Sequence, residues 1–353
     1  TLDRDASAVW GRMTETHSST VLSDLTEYNV MYRMFNDCQV SAIEQNTVGS
    51  NTLLHGEGTV GAGTTVYGAK QLATTASESV SMPLLSPLIG ASCPKYLPLG
   101  AMGAGGNYRV TLTLDNLNNI GITADGGDVQ ITISEVELVC NIVEVDSVGQ
   151  QMIEASSGGI YAISSTGYRN YTANAGGSGE NQVSLLIPAK ASSMKSMFVV
   201  QRPSGHLNKA TEFGIGCRDR ADLTEFHITC GGVRVPAGKP VQATGGNAFQ
   251  ELMKCFGGVS NLNQRCDFGK TRYELTSSTA RADDAIATKG AFVAGVELES
   301  YTNEGVESGL NTLGANMFWE GTYDTITEAI AFSFFSMYDV LITCENGILS
   351  VKF

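Results

Sequence analysis

Positive charge is scarce in this chain. Its 22 lysines and arginines face 36 carboxylates, for a net charge of −14, and charged residues make up only 16% of the sequence where about 25% is usual. A protein that grips nucleic acid neutralises phosphates with clustered Lys and Arg. Residues 1–20 carry Arg4 and Arg12 against Asp3, Asp5 and Glu15, so they form no basic arm, and direct nucleic-acid binding is not expected. Tryptophan is limited to Trp10 and Trp319 and histidine to His17, His55, His206 and His227, too few for aromatic sugar platforms or a histidine-rich metal centre. No apolar run reaches the roughly 18 residues that span a bilayer, and residues 1–20 show no export-signal pattern. Cys38, Cys93, Cys140, Cys217, Cys230, Cys255, Cys266 and Cys344 are irregularly spaced with no C-x-x-C pair. They are expected as reduced thiols, with Cys140, Cys230 and Cys344 in inward phase on strands.

Glycine, at 40 residues, exceeds the usual ~7%. With a 42% hydrophobic fraction, this describes a globular β-protein with many turns. The length allows about two domains, each large enough to bury a core. Two long β-rich runs, residues 129–145 (VQITISEVELVCNIVEV) and 330–353 (IAFSFFSMYDVLITCENGILSVKF), each close a stretch of short strand-like segments. The boundaries expected are an N-terminal arm at 1–20, a first β-domain at 21–157 and a second at 158–353.

Local patterns fill in this outline. Ser23 or Asp24 is placed to cap a helix carrying Leu25, Tyr28, Tyr32 and Phe35 on one face. Residues 39–80 read as strands and loops. Four of the eight prolines, Pro83, Pro87, Pro94 and Pro98, fall within 82–102, an extended surface path because proline cannot donate to a ladder. Tyr108, Val110, Leu112 and Leu114 alternate with polar residues, as a half-buried strand does. In the first long run Val129, Ile131 and Ile133 share one phase and Val136, Leu138, Cys140 and Ile142 the other, which predicts a bulge or break at Ser134–Glu135. A short helix is expected at 148–157. Further strands are expected at 160–171, 183–187, 196–201, 225–230 and 291–301. Asn247 and Gln250 read as a capping box over a helix bearing Phe249, Leu252, Met253 and Phe256, ended by Gly257. Asn346-Gly347 is the favoured two-residue hairpin turn. Many strands, few helices and closely spaced turns point to sandwich or barrel architecture.

The motifs that could carry chemistry are weak. Gly56-Glu57-Gly58-Thr59-Val60-Gly61 matches G-x-G-x-x-G, which has meaning only between a strand and a helix. Gly269-Lys270-Thr271 has Gln264 where a phosphate loop needs glycine. His227 and Cys230 fall on opposite faces of a strand, wrong for one metal. There is no H-E-x-x-H and no G-x-S-x-G. Glu135, Glu137, Glu144, Asp146, Asp283, Asp284, Glu297 and Glu299 are carboxylates of which a glycosidase would need two across a cleft; solvated strand faces and loops account for them more simply. Asn170-Tyr171-Thr172 is a glycosylation sequon with no accompanying export signal. No catalytic, cofactor-binding or metal residue is assigned.

The order of segments carries a resemblance. MPLLSPLIGASCPKYLPLGAM leads into YRVTLTL, then ITISEVELVCNIVEVD and a short helix. SLLIPAKASSMKSMFVVQRPS leads to FHITCGGVRVPAGKPVQ, the helix NAFQELMKCFG, and finally MYDVLITCENGILSVKF. This resembles the viral major capsid proteins of the double-jelly-roll lineage, which includes adenovirus hexon and the coats of tailless lipid-containing phages, large DNA viruses and polinton-like viruses. The likeness spans roughly residues 84–353. It implies an all-β chain of two tandem eight-stranded jelly-roll sandwiches with a few short helices. It further implies homotrimeric, pseudo-hexagonal capsomers tiling an icosahedral virion shell that assembles inside the host cell. Its partners would be neighbouring capsomers, minor capsid or penton proteins and an internal viral membrane, with no cofactor and no catalysis. The N-terminal arm and the 160–180 loop are the expected inter-capsomer or membrane-facing contacts.

The competing reading is a secreted or surface β-sandwich that binds or hydrolyses glycans. It calls for an export signal, exposed aromatic platforms and paired carboxylates. A single-domain shell protein of the tailed-phage type would show a long backbone helix, and none is expected here.

Overall fold

A computed structural model of the chain describes residues 2–3, 5–41, 43–44, 47, 57–60, 64–67, 69–70, 77–90, 95–102, 107–121, 130–175, 177, 179–212, 214–257, 266, 268–277, 290–299 and 309–353. Over these residues the architecture is antiparallel sheet with a few short helices.

The first half contains β1 (Leu2–Asp3), β2 (Trp10–His17), β3 (Thr20–Thr26), α1 (Tyr28–Gln39), β4 (Glu57–Val60), β5 (Thr64–Tyr67), β6 (Ala69–Lys70), β7 (Tyr108–Leu114), α2 (Leu117–Ile120) and α3 (Ser147–Ser157). Strands β3, β2 and β7 form one sheet in that order, while β1 pairs with β6 and β4 with β5. Residues 1–20, expected as an extended polar arm, instead hold the central strand of this sheet. Met13, Glu15 and His17 alternate inward, and two of these three are polar, which hid the period-2 signal. The expected helix also starts later. Ser23 and Asp24 lie on β3, and α1 begins after Glu27, which takes φ +50 and makes no side-chain cap.

The second half contains β8 (Ile160–Ala175), β9 (Gln182–Ile187), β10 (Met194–Pro203), β11 (Leu223–Cys230), β12 (Val233–Val235), β13 (Val241–Gln242), α4 (Asn247–Lys254), α5 (Lys270–Tyr273), β14 (Ala294–Glu297), β15 (Met317–Tyr323), β16 (Ile330–Glu345) and β17 (Ile348–Lys352). One sheet runs β8-β16-β10-β14, and the other runs β9-β15-β11 with β12 and β13 both on the far edge of β11. β17 folds back on the last residues of β16 through Asn346 (φ +51) and Gly347 (φ +80), the left-handed pair that a type I′ turn demands. The part of 160–180 expected as a contact loop is mostly β8, paired along its whole length with β16. Helix α4 carries the expected apolar face, with Leu252 and Met253 buried, and Gly257 (φ +70) follows it. Its N-cap is Gly246 rather than Asn247, without a side-chain bond.

The two halves repeat a local order. β2, its hairpin partner β3, helix α1 and then β7 on the other edge of β2 match β11, its partners β12 and β13, helix α4 and then β15 on the other edge of β11. Residues 130–145 follow β7 as β16 follows β15. They form neither helix nor a ladder with any other described residue, and at the predicted phase break Glu135 takes φ +53. Ile131 is half-buried against the core, while residues 132–145 are exposed, Cys140 included, contrary to the buried thiol expected; Cys230 and Cys344 are buried as expected.

Helix α1 joins the halves. Phe35 packs edge-on against Tyr168, Phe198 and Phe256 at 5.5, 5.8 and 5.6 Å, and Phe198 stacks on Phe256 at 5.1 Å. Asp37 lies 2.6 Å from Arg218 and 3.2 Å from Arg33, all three buried. The proline-rich path is tied to α1 by two tyrosines. Tyr28 Oη accepts from Leu85 N at 3.0 Å and Tyr32 Oη donates to Pro83 O at 3.0 Å.

Candidate assembly surface

The residues that could have carried chemistry are dispersed. Among the described residues no group of three His, Cys, Asp or Glu side chains could hold a metal ion. Gly56, Gly61, His55, Gln264, Asp283 and Asp284 lie outside the described residues, and Glu57–Val60 is a strand of a hairpin, so no helix opens after Gly58. Gly269 precedes the four-residue α5. His227 and Cys230 point to opposite faces of β11, with Cys230 alone buried. Trp319 is fully buried, stacked 5.1 Å from Phe226, and offers no platform. The sequon Asn170 lies on β8 and its amide donates to Thr26 O and Glu27 Oε2, both at 3.1 Å.

Two concavities formed by the described residues stand out, and neither has the volume of a substrate cleft. One, of about 30 Å³, is lined by Arg202, Asp219, Asp222 and Glu328 and has room for about one water. The other, of about 210 Å³, lies between the halves beside Glu27, Asn29, Asp115, Asn119 and Arg202, below the ~300 Å³ where ligand pockets begin. Glu297 and Glu299 line neither.

The polar groups that do meet serve the fold. Arg202 Nη2 donates to Glu27 Oε1 at 2.6 Å and to Ser333 Oγ at 3.0 Å, bracing the halves. Asn29 donates to Asp115 Oδ2 at 2.7 Å and to Ala8 O at 3.0 Å. Glu15 accepts from Tyr108 Oη at 2.6 Å and from Ser86 Oγ, and burial raises its pKa against those two bonds. At the end of β14, Lys195 Nζ sits 3.2 Å from Asp339 Oδ1 and 3.6 Å from Glu299 Oε1. Neighbouring Glu297 is pushed by burial to about 7. A carboxyl that holds its proton more tightly when folded gives full stability below pH 4.5, its ordinary value, and loses it as pH rises towards about 7. Over that window the melting temperature of the native chain is therefore expected to drop more than that of Glu297→Gln. Parallel melting curves would contradict the assignment.

Apolar side chains distinguish the surface. Of the 22 large hydrophobic residues exposed among those described, 11 lie within 133–160, ten of them on residues 133–145 and α3 and one, Ile160, at the start of β8. Helix α3 is capped by Asp146, whose Oδ1 accepts from Gly149 N at 2.7 Å, yet it buries no residue and exposes Val148, Met152 and Ile153. Exposed apolar side chains gathered in one stretch of chain differ from the singly scattered ones normal on a protein surface.

No protein-family model matches the sequence, and no curated protein matches it. Solved structures do. The capsid of PBCV-1 virus superposes over 100% of this chain and 85% of its own, with a TM-score of 0.60 at 10% identity. The fold is the double jelly roll. The Faustovirus major capsid protein covers 96% of this chain and 73% of its own at a TM-score of 0.54 and 10% identity. A PBCV-1 protein fitted into a reconstruction of the virophage Sputnik covers 100% and 87% at 0.54 and 9%. At such identity the likeness is one of fold. The double jelly roll explains the repeat described above. In the second half, two five-stranded sheets, β8-β16-β10-β14 with β17 and β9-β15-β11 with β12 and β13, make up one sandwich, eight-stranded when β17 is set aside and β12 and β13 are counted as one edge. In the first half, β3-β2-β7 is the counterpart of the β12/β13-β11-β15 portion.

Sequence reasoning missed Glu27, Asp37, Arg202 and Arg218, the polar residues that fasten the halves. Asp37 and Arg218 are 181 positions apart, and no local pattern links them.

Proposed function

We propose that this protein is a viral major capsid protein, a structural subunit without catalytic activity. The observation that carries this reading is the whole-chain superposition on capsid proteins, joined to a surface whose chief feature is exposed apolar strand and helix rather than a lined cleft. In this reading three copies, each with two similar lobes, close into a pseudo-hexagonal trimer, and trimers tile an icosahedral virion shell formed in the host cell. The domains are 21–157 and 158–353. Residues 1–20 contribute a strand to the first domain, so contacts between capsomers fall to other surfaces, residues 133–160 foremost. Minor capsid or penton proteins and an internal membrane are further partners in this reading. The acidic balance of −14 suits a layer that does not touch nucleic acid. Trimer contacts are expected to be of the obligate class, above ~2,000 Å².

Light scattering with negative-stain imaging of the same sample tests this. A particle of about 112 kDa, three chains of 37.3 kDa in closed three-fold symmetry, with a six-lobed outline is the expected result. A 37.3 kDa monomer at every concentration would overturn it.

A further inference from the structure

Lys195 stands at the junction of three strands. It is the extra residue of a bulge in β10, where the register against β16 shifts between Met194 and Ser196, and bulges re-aim a side chain. Its Nζ lies 3.2 Å from Asp339 Oδ1 on β16 and 3.6 Å from Glu299 Oε1, just past the end of β14. The side chains of Lys195, Asp339 and Glu299 are 24%, 12% and 14% exposed. The other oxygen of Asp339 is engaged as well. Ser193 Oγ accepts from Gly309 N at 3.1 Å, which leaves its own hydrogen to donate to Asp339 Oδ2 at 2.6 Å. A β-carbon at Gly309 would come within 2.6 Å of that Oγ, so glycine is what lets its amide approach.

An amine against a carboxyl group, a second carboxylate on the same amine and a fixed hydroxyl on the far carboxyl oxygen supply a nucleophile, an electrophile, a proton carrier and an oxyanion donor. We propose that Lys195 and Asp339 condense to an intramolecular isopeptide bond that ties β10 to β16, with Glu299 carrying the protons and Ser193 holding the oxyanion. Burial works against the Lys195 charge, but Asp339 and Glu299 outweigh it and keep the amine protonated. It therefore gives up a proton before it attacks. Glu299 is in contact to take it, and burial makes that carboxylate more basic than usual. The neutral amine then forms a bond to Asp339 Cγ while the negative charge grows on Oδ2 under the Ser193 hydroxyl. Oδ1 receives the proton from Glu299, and a second proton passes from the nitrogen to the same oxygen by the same carrier. The Cγ–Oδ1 bond breaks and one water leaves. An ammonium and a carboxylate have become an amide and water, and Glu299 ends as it began. The bond forms once in the life of a chain, so it is a modification rather than a turnover, and it does not rest on the capsid reading.

The intact mass of the native full chain tests this, followed by a protease digest. The chain is expected to weigh one water less than its sequence, with Lys195 and Asp339 recovered in one branched peptide. Lys195→Arg keeps the charge and is expected to restore the full mass. Glu299→Gln is expected to slow bond formation by about 10²-fold, read as loss of water with time in freshly synthesised chain, with circular dichroism showing that both variants keep the fold. The full sequence mass in the native chain, with Lys195 and Asp339 in separate peptides, would overturn the proposal and leave an ordinary ion pair. A missing water that persists in Lys195→Arg would place the dehydration elsewhere and overturn it too. An unchanged rate in Glu299→Gln would remove Glu299 from the reaction.

Discussion

Replacing Asp37 by alanine is expected to destabilise the protein by about 3–5 kcal/mol, measured by urea unfolding. The carboxylate sits on α1, fully buried, 2.6 Å from Arg218 and 3.2 Å from Arg33. Those guanidiniums are themselves 0% and 3% exposed. Removing this anion takes the nearest counter-charge from two buried cations whose desolvation is already incurred. The loss falls on the seam, because α1 belongs to the first half and Arg218 to the second. Replacing all three groups with apolar residues of similar volume, as in Arg33→Met/Asp37→Leu/Arg218→Met, is expected to recover most of that stability. A loss under about 1 kcal/mol for Asp37→Ala would show that water reaches the triad and that these charges are solvated.

Phe198→Ala is expected to cost about 3–5 kcal/mol. Phe198 is 1% exposed on β10 and meets Phe35 of α1 at 5.8 Å and Phe256 after α4 at 5.1 Å. Truncation removes the transfer free energy of the ring and leaves a cavity that two other rings border. Neither ring collapses easily, since Phe35 also packs on Tyr168 and Phe256. Because Phe35 and Phe198 share this cavity, their alanine variants should not add. A double-mutant cycle is expected to show coupling of about 0.5–1.5 kcal/mol, the range for aromatic pairs. Strict additivity would mean that the two halves are stabilised independently at this point.

Much of the second half was legible because its signals are local. Asn346-Gly347 adopts the left-handed pair its chemistry favours, Phe226, Ile228 and Cys230 alternate inward on β11, and Leu252 and Met253 face the core from α4. Glu135 shows the same lesson at one residue, since the change of apolar phase there coincides with a left-handed backbone. The first half misled where polar residues are buried. Glu15 and His17 sit inward on β2 because Ser86, Tyr108 and the Leu349 amide supply their hydrogen bonds, and those partners come from distant parts of the chain. Cys140 misled in the opposite sense. Its inward phase is real only if a sheet covers it, and none does within the described residues.

The sequence by itself determined the all-β class, the duplicated build, the turns and the poverty of catalytic motifs, because hydrophobic period, turn chemistry and composition act over a few residues. Only the tertiary structure decided that 10–17 is a central strand, that Asp37 and Arg218 meet, and that Phe35 of α1 packs on Phe198 and Phe256. Strand pairing and ion pairing are long-range. An edge is open or closed according to which distant segment arrives beside it, and a buried charge is tolerated according to which partner it finds there.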